Sequence, residues 1–186
     1  MQPVLEFSAD AANLASVFLA RKNSIHTWWA SILACVLFAI LSFKVKLYAD
    51  TTLQLFFIVM SVYGWKNWQK IINNKPLPIT RVTSMTLLTY IILSLGIITA
   101  YGMLLHSLTD ASFPFIDSII LVISILAQFL LITRKLENWL FWIIVNVIAV
   151  PVYFTKGLFL TSFLYAVFLV NAIYGFKKWK TALSHP

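Results

Sequence analysis

Charge breaks this chain at intervals that match the thickness of a lipid bilayer. Between short charged stretches lie seven largely apolar runs, at approximately residues 4–20, 27–43, 50–68, 84–105, 114–133, 138–155 and 158–176. A hydrocarbon core of about 30 Å takes about 20 helical residues to cross. Hydrophobic residues make up 61% of the chain and charged residues 11%, against about 25% charged in a soluble domain. The expectation is an all-α integral membrane protein with seven transmembrane helices.

The first run is the most polar, but Glu6, Asp10 and Asn13 are spaced i, i+4, i+7 and share one helical face, which can turn toward protein or a water-filled path instead of lipid. No basic residue precedes Arg21, so the start lacks the charge of a secretory signal, and the segment is expected to remain in the mature protein. The stretch Asn73-Asn74-Lys75-Pro76-Leu77-Pro78 reads as the clearest loop. Seven spans put the termini on opposite sides. Arg21, Lys22, Lys66, Lys70, Lys75, Arg81, Arg134, Lys135, Lys177, Lys178 and Lys180 then share one side, 11 of the 14 basic residues. The opposite side holds Lys44, Lys46 and Lys156, and the loop around Asp110 holds none. The positive-inside rule makes the first side cytoplasmic, with the C-terminus there and the N-terminus outside. The net charge of +8 therefore reads as membrane topology, and nucleic acid is not an expected partner.

The chain also repeats itself. Arg21-Lys22, Trp29 and the string YGWKNW at Tyr63 to Trp68 return as Arg134-Lys135, Trp142 and YGFKKW at Tyr174 to Trp179. The basic pairs lie 113 residues apart and the Tyr-Gly pairs 111 apart, which implies a net gap of two residues. Spans one to three form the first copy and five to seven the second, with span four joining them. Because the shift is an even number of spans, both copies cross in the same direction, as parallel repeats about an axis along the membrane normal. The expected division is residues 1–72 for the first three-helix repeat, 73–110 for the loop and linker helix, and 111–186 for the second repeat with a basic tail. SWEET-type sugar transporters use such a 3-1-3 plan.

Polar side chains are costly in a bilayer and mark substrate paths. In span six, Trp139, Trp142 and Asn146 follow i, i+3, i+7. Asn146 lies about 13 Å in from the basic end, near the midplane. An amide flanked by aromatic rings there suits a flat ligand with polar edges, although Trp139 also fits an interfacial aromatic belt and Asn146 a helix–helix hydrogen bond. In span five, Asp117, Leu121, Ser124 and Gln128 share a face, and Asp117 reads equally as a hydrated carboxylate at a helix start. In span three, Gln54 begins a face continued by Phe57 and Ser61, and in span seven Asn171 and Tyr174 are one turn apart. With the two-residue gap, Asn146 aligns with Leu33 and Gln54 with Tyr165, so the polar positions are not duplicated. Pro151 removes a helical hydrogen bond to the Val147 carbonyl and marks a candidate kink or gate.

Enzyme motifs are missing. The chain has no GxxxxGK[ST], no HExxH and no GxSxG. Its three histidines, His26, His106 and His185, are scattered, and the single cysteine, Cys35, allows no internal disulfide. No catalytic residue, metal or cofactor is expected.

The segments LYADTTLQLFFIVMSVYGWKNW (Leu47 to Trp68), FPFIDS (Phe113 to Ser118) and TRKLENWLFWIIVNVIAV (Thr133 to Val150) together resemble the PnuC family of vitamin transporters, and the resemblance covers essentially the whole chain. It implies a SWEET-like 3-1-3 fold in a bacterial inner membrane, often as a homotrimer. It also implies facilitated diffusion of nicotinamide riboside, trapped afterwards by phosphorylation in the cytoplasm. Thiamine is the alternative cargo within such proteins. The matching motif positions point to Trp139, Trp142, Asn146 and Gln54 as substrate-binding residues, and the spacing argument adds Gln128, Asn171 and Tyr174. Both candidate substrates are aromatic cations, which tryptophan faces attract at about 0.5–2 kcal/mol per contact. A sugar transporter and a non-transporting membrane subunit are the readings from outside the family.

Overall fold

The computed structural model describes residues 2–44, 48–72, 75–109 and 113–184. Among these are seven α-helices: α1 (Gln2–Arg21), α2 (Thr27–Lys44), α3 (Tyr48–Trp68), α4 (Ser84–Leu108), α5 (Pro114–Ile132), α6 (Asn138–Thr155) and α7 (Phe159–Ser184). They match the seven apolar runs closely, except that α7 carries the basic tail on as helix. Helices α2, α4, α5, α6 and α7 are long and apolar enough to cross a membrane. Strands β1 (Ile71–Ile72) and β2 (Lys75–Pro76) pair antiparallel where the sequence suggests only a loop. Asn73, Asn74, Lys46, Asp110 and His185, named above, lie outside the described residues.

Local chemistry explains several of the helix ends. The Thr83 hydroxyl caps α4 by accepting from the Thr86 N–H, satisfying a donor that the first turn leaves free. Pro114 opens α5, where its missing N–H costs nothing. Between α6 and α7 the chain turns through Gly157 at φ 75°, a left-handed conformation that suits a residue without Cβ. Helix α6 continues past Pro151, which faces outward.

The helices close into a ring. α1 packs on α2, α2 on α3, α3 on α5, α5 on α6, α6 on α7, and α7 returns to α1, while α4 lies outside against α5. The outer surface is strongly apolar: Trp29, Leu33, Val36, Ile40 and Phe43 form an exposed stripe on α2, and Leu140, Ile144, Val147 and Phe154 form one on α6. Such faces belong against hydrocarbon.

These two stripes are offset by 111 residues, and so is nearly every recurring contact of the ring. Asn23 (φ 57°) and Arg134 (φ 53°) make equivalent left-handed turns. The bonds Asn23 N–H to Ala20 O and Ser24 N–H to Leu19 O recur as Arg134 N–H to Leu131 O and Lys135 N–H to Leu130 O. Trp28 packs on Gly64 as Trp139 packs on Gly175, leaving no room for a Cβ at either glycine. The register suggested by the basic pairs and by Trp29 with Trp142 is therefore two residues out through α2 and α6. A left-handed turn and a ring seated on a glycine are geometric constraints, and they outrank similarity of composition. In the corrected register Trp142 corresponds to Ser31 and Asn146 to Cys35, not Leu33.

At the basic-loop end the halves interlock through four tryptophans. Trp28 meets Trp68 edge-on at 5.3 Å, Trp139 meets Trp179 likewise at 5.5 Å, and Trp68 and Trp179 touch at 6.0 Å. The Trp68 indole donates to Leu131 O at 3.2 Å and to Ile132 O at 3.1 Å, and the Trp179 indole donates to Ala20 O at 3.3 Å. Each half thus binds the last carbonyls of the other half's first helix, groups that a helix end leaves without intrahelical partners.

Candidate functional site

On α6, Trp139, Trp142 and Asn146 lie on the face opposite the exposed stripe and so look into the ring. Trp139 is 2% exposed, its ring against Gly175 and edge-on to Trp179. Its indole N–H is buried with no hydrogen-bond partner among the described residues. Trp142, half-buried, bridges the tryptophan cluster and a second apolar cluster of Ala127, Leu130 and Phe141. Asn146 follows one turn deeper and is buried at 3% exposure. Gln128 is buried on α5, and Gln54 is half-buried on α3, which also packs on α5. Among the described residues, none of these three amides makes a side-chain hydrogen bond. None of their amide atoms is among the fully buried ones left without a partner, so each keeps some access to the space between the helices.

The first half offers no copy of this chemistry. Ser31, at the position of Trp142, shares a 2.9 Å hydrogen bond with Ser61, which is fully buried. That pair ties α2 to α3 and places Ser61 in the scaffold. Phe57 is half-buried one turn from it. On α1, Asn13 lies on the side of the buried Ala9, Ser16 and Ala20, so part of the polar stripe turns inward as its spacing suggests.

Asn171 and Tyr174 occupy another wall. The Asn171 amide donates to Val17 O at 3.0 Å across the α1–α7 seam, while its Oδ1, also buried, has no partner among the described residues. Tyr174 is 56% exposed and lines a groove of about 330 Å³ with Phe18 and Arg21. The Arg21 guanidinium sits 5.2 Å from the Phe18 ring and 5.8 Å from that of Tyr174. The structure therefore gathers Trp139, Trp142 and Asn146 on one inward face, sets Gln54 and Gln128 on the adjoining wall, and leaves Tyr174 at the seam's open side.

Two further groups have structural partners. Asp117 forms an ion pair with Lys156 at 3.1 Å, tying α5 to the turn after α6. Arg134 is 5% exposed, lies 4.4 Å over the Trp68 ring and donates to Leu77 O. Burial pushes its guanidinium down to about 10, so it remains charged at neutral pH. Around it the segment before α4 is strapped to the α5–α6 turn. Thr80 exchanges backbone bonds with Arg134 and Leu136, Lys135 Nζ donates to Thr80 Oγ1 at 2.9 Å, and Glu137 accepts from Val82 N–H at 2.9 Å. Sequence reasoning missed both this strap and the tryptophan clasp. The clasp left a trace in the pairs Trp28/Trp139, Gly64/Gly175 and Trp68/Trp179, all 111 residues apart. Among the described residues no group of His, Cys, Asp and Glu is arranged to hold a metal.

Residues 3–181 match the family described as "Nicotinamide mononucleotide transporter", and the chain belongs to that family. It is 29% identical over 203 aligned positions to the "Nicotinamide riboside transporter PnuC" of Escherichia coli (strain K12), covering 94% of this chain and 84% of that protein. A protein of the same name from Neisseria mucosa is 26% identical over 184 positions, with 92% and 70% covered. The solved structure described as "Crystal structure of the Vitamin B3 transporter PnuC" has a TM-score of 0.76 at 25% identity, covering 97% of this chain and 82% of that one. The family resemblance read from three sequence segments is thus borne out. The protein is a multi-pass membrane protein whose relatives are named as transporters and not as enzymes.

Proposed function

We propose that this family member carries nicotinamide riboside across the bacterial inner membrane by facilitated diffusion, with phosphorylation in the cytoplasm trapping what enters. The observation that carries the reading is the inward face of α6, where Trp142 and Asn146 stand at positions that are Ser31 and Cys35 in the other half. A symmetric scaffold lined asymmetrically fits an asymmetric ligand. In this site the pyridinium ring stacks on Trp142 with Trp139 behind it, and Asn146, Gln54 and Gln128 take the carboxamide and ribose hydroxyls. Asn171 and Tyr174 belong to the α1–α7 wall, whose opening admits or releases the ligand. The names borne by relatives and family differ by one phosphate, and charge favours the riboside. No cation stands among Trp139, Trp142, Asn146, Gln54 and Gln128, Arg21 lying instead at the α1–α7 groove, and a buried dianion without a counter-charge is heavily penalised.

The cyclic packing and the constant offset of 111 support a 3-1-3 plan of parallel repeats, SWEET-like, divided at residues 1–72, 73–110 and 111–186. In that plan α1 and α3 also cross the membrane, their polar groups turned into the ring, and the basic loops place the N-terminus outside and the C-terminus in the cytoplasm. The uncovered apolar face of α4, including Met85, Ile92, Leu95 and Met103, suits contact between copies, in keeping with a homotrimer.

The test is binding by tryptophan fluorescence together with uptake into liposomes, compared for nicotinamide riboside, its mononucleotide, thiamine, riboflavin and glucose. Saturable uptake of the riboside alone, down its gradient and without added ion or nucleotide, is expected. Preference for thiamine reassigns the cargo, preference for glucose returns the sugar reading, and quenching or uptake by none of them leaves a non-transporting subunit.

A further inference from the structure

Outside the ring, where α4 begins and α5 ends, lies a cavity of about 180 Å³. We propose that it binds the phosphate of an anionic phospholipid. Two cations, Arg81 and Lys135, line it together with Thr83, Thr86 and Thr133. Lys135 Nζ is held in place by Thr80 Oγ1 at 2.9 Å and Arg81 O at 3.5 Å. Arg81 is exposed and forms no ion pair among the described residues. No carboxylate lines the cavity among the described residues, and that of Glu137 is engaged by the Val82 N–H at 2.9 Å. Two positive charges on one cavity, with no carboxylate in its lining among the described residues, form an anion receptor.

The apolar side identifies the anion's source. Tyr90 and Phe129, in edge-on contact at 6.3 Å, continue the cavity along the α4–α5 seam together with Leu130. An inorganic anion uses none of that surface, whereas a lipid places its headgroup at the cations and an acyl chain along the seam. The level is right, since Arg81 and Lys135 sit at the ends of membrane helices among the basic loops, where basic pockets between helices take up acidic headgroups. The other half offers no copy of it among the described residues: in the register of 111, Lys135 corresponds to Ser24, and α4 packs on α5. Its role is to fasten the linker helix to the second half of the ring.

Detergent-purified full-length protein is tested by thermal unfolding with added phosphatidylglycerol, phosphatidylcholine or inorganic phosphate, and by native mass spectrometry of retained lipid. Phosphatidylglycerol is expected to raise Tm, phosphatidylcholine and phosphate not to. Arg81→Gln is expected to lose most of the rise, and Lys180→Gln, on the exposed tail of α7, to keep it. An equal rise with inorganic phosphate makes this a free-anion pocket and overturns the proposal, as does an undiminished rise in Arg81→Gln. Should that variant fail to fold, the wild-type spectra decide. Retention of one phosphatidylglycerol in preference to phosphatidylcholine supports the site, and equal retention overturns it. Neither outcome depends on which vitamin is carried.

Discussion

Trp139 and Trp142 stand one helical turn apart and differ in what surrounds them. Trp139 is seated on Gly175, where an added Cβ would approach its ring to 2.7 Å. Gly175→Ala therefore overpacks a buried contact and is expected to cost about 1–3 kcal/mol, seen as a lower Tm, and Gly64→Ala should do the same beneath Trp28. Trp142 touches two clusters without being closed in by either, so its ring can accept a ligand. Losing one cation–π contact of about 0.5–2 kcal/mol predicts that Trp142→Ala weakens nicotinamide riboside binding by about two- to thirtyfold, as read by titration. Asn146→Ala should narrow the preference for nicotinamide riboside over thiamine, because the amide recognises polar edges that the two cations do not share. Unchanged affinity and unchanged preference together would remove this site assignment.

Among the elements, the α5–α6 turn has the widest set of duties. Its left-handed Arg134 aims a guanidinium at Trp68 and Leu77, and Lys135 and Glu137 hold the strap that leads into α4. The equivalent turn at Asn23 has the same backbone and, among the described residues, carries no such strap. Glu137→Ala removes the acceptor for Val82 N–H, one charge-assisted bond in a half-buried setting. Trypsin cleavage after Arg81 is expected to quicken severalfold while the ring stays folded. Cleavage at the wild-type rate would show that the backbone bonds of Thr80 suffice to hold the segment.

For the whole molecule, the indole bonds from Trp68 and from Trp179 to the opposite half are the counterpart contacts that lock the ring at its basic end. Trp68→Phe and Trp179→Phe keep an aromatic ring and remove the donor. Each is expected to lower stability by about 1 kcal/mol, a few degrees in Tm at this size, and an unshifted Tm in both would deny the clasp any hold on the fold. The seven helices and the inward stripe of α6 were legible in the sequence. They depend on helix length, charge placement and the 3.6-residue period, which are local properties of a chain in a bilayer. The duplication was legible too, but its register was not, since the basic pairs and Trp29 with Trp142 gave 113 where the turns and tryptophan seats require 111. Only the tertiary structure decided that register, the strap on Arg134, and the separation of Tyr174 from the α6 face. Each depends on which surfaces meet when distant helices pack, and the spacing of residues along one helix does not encode its neighbour.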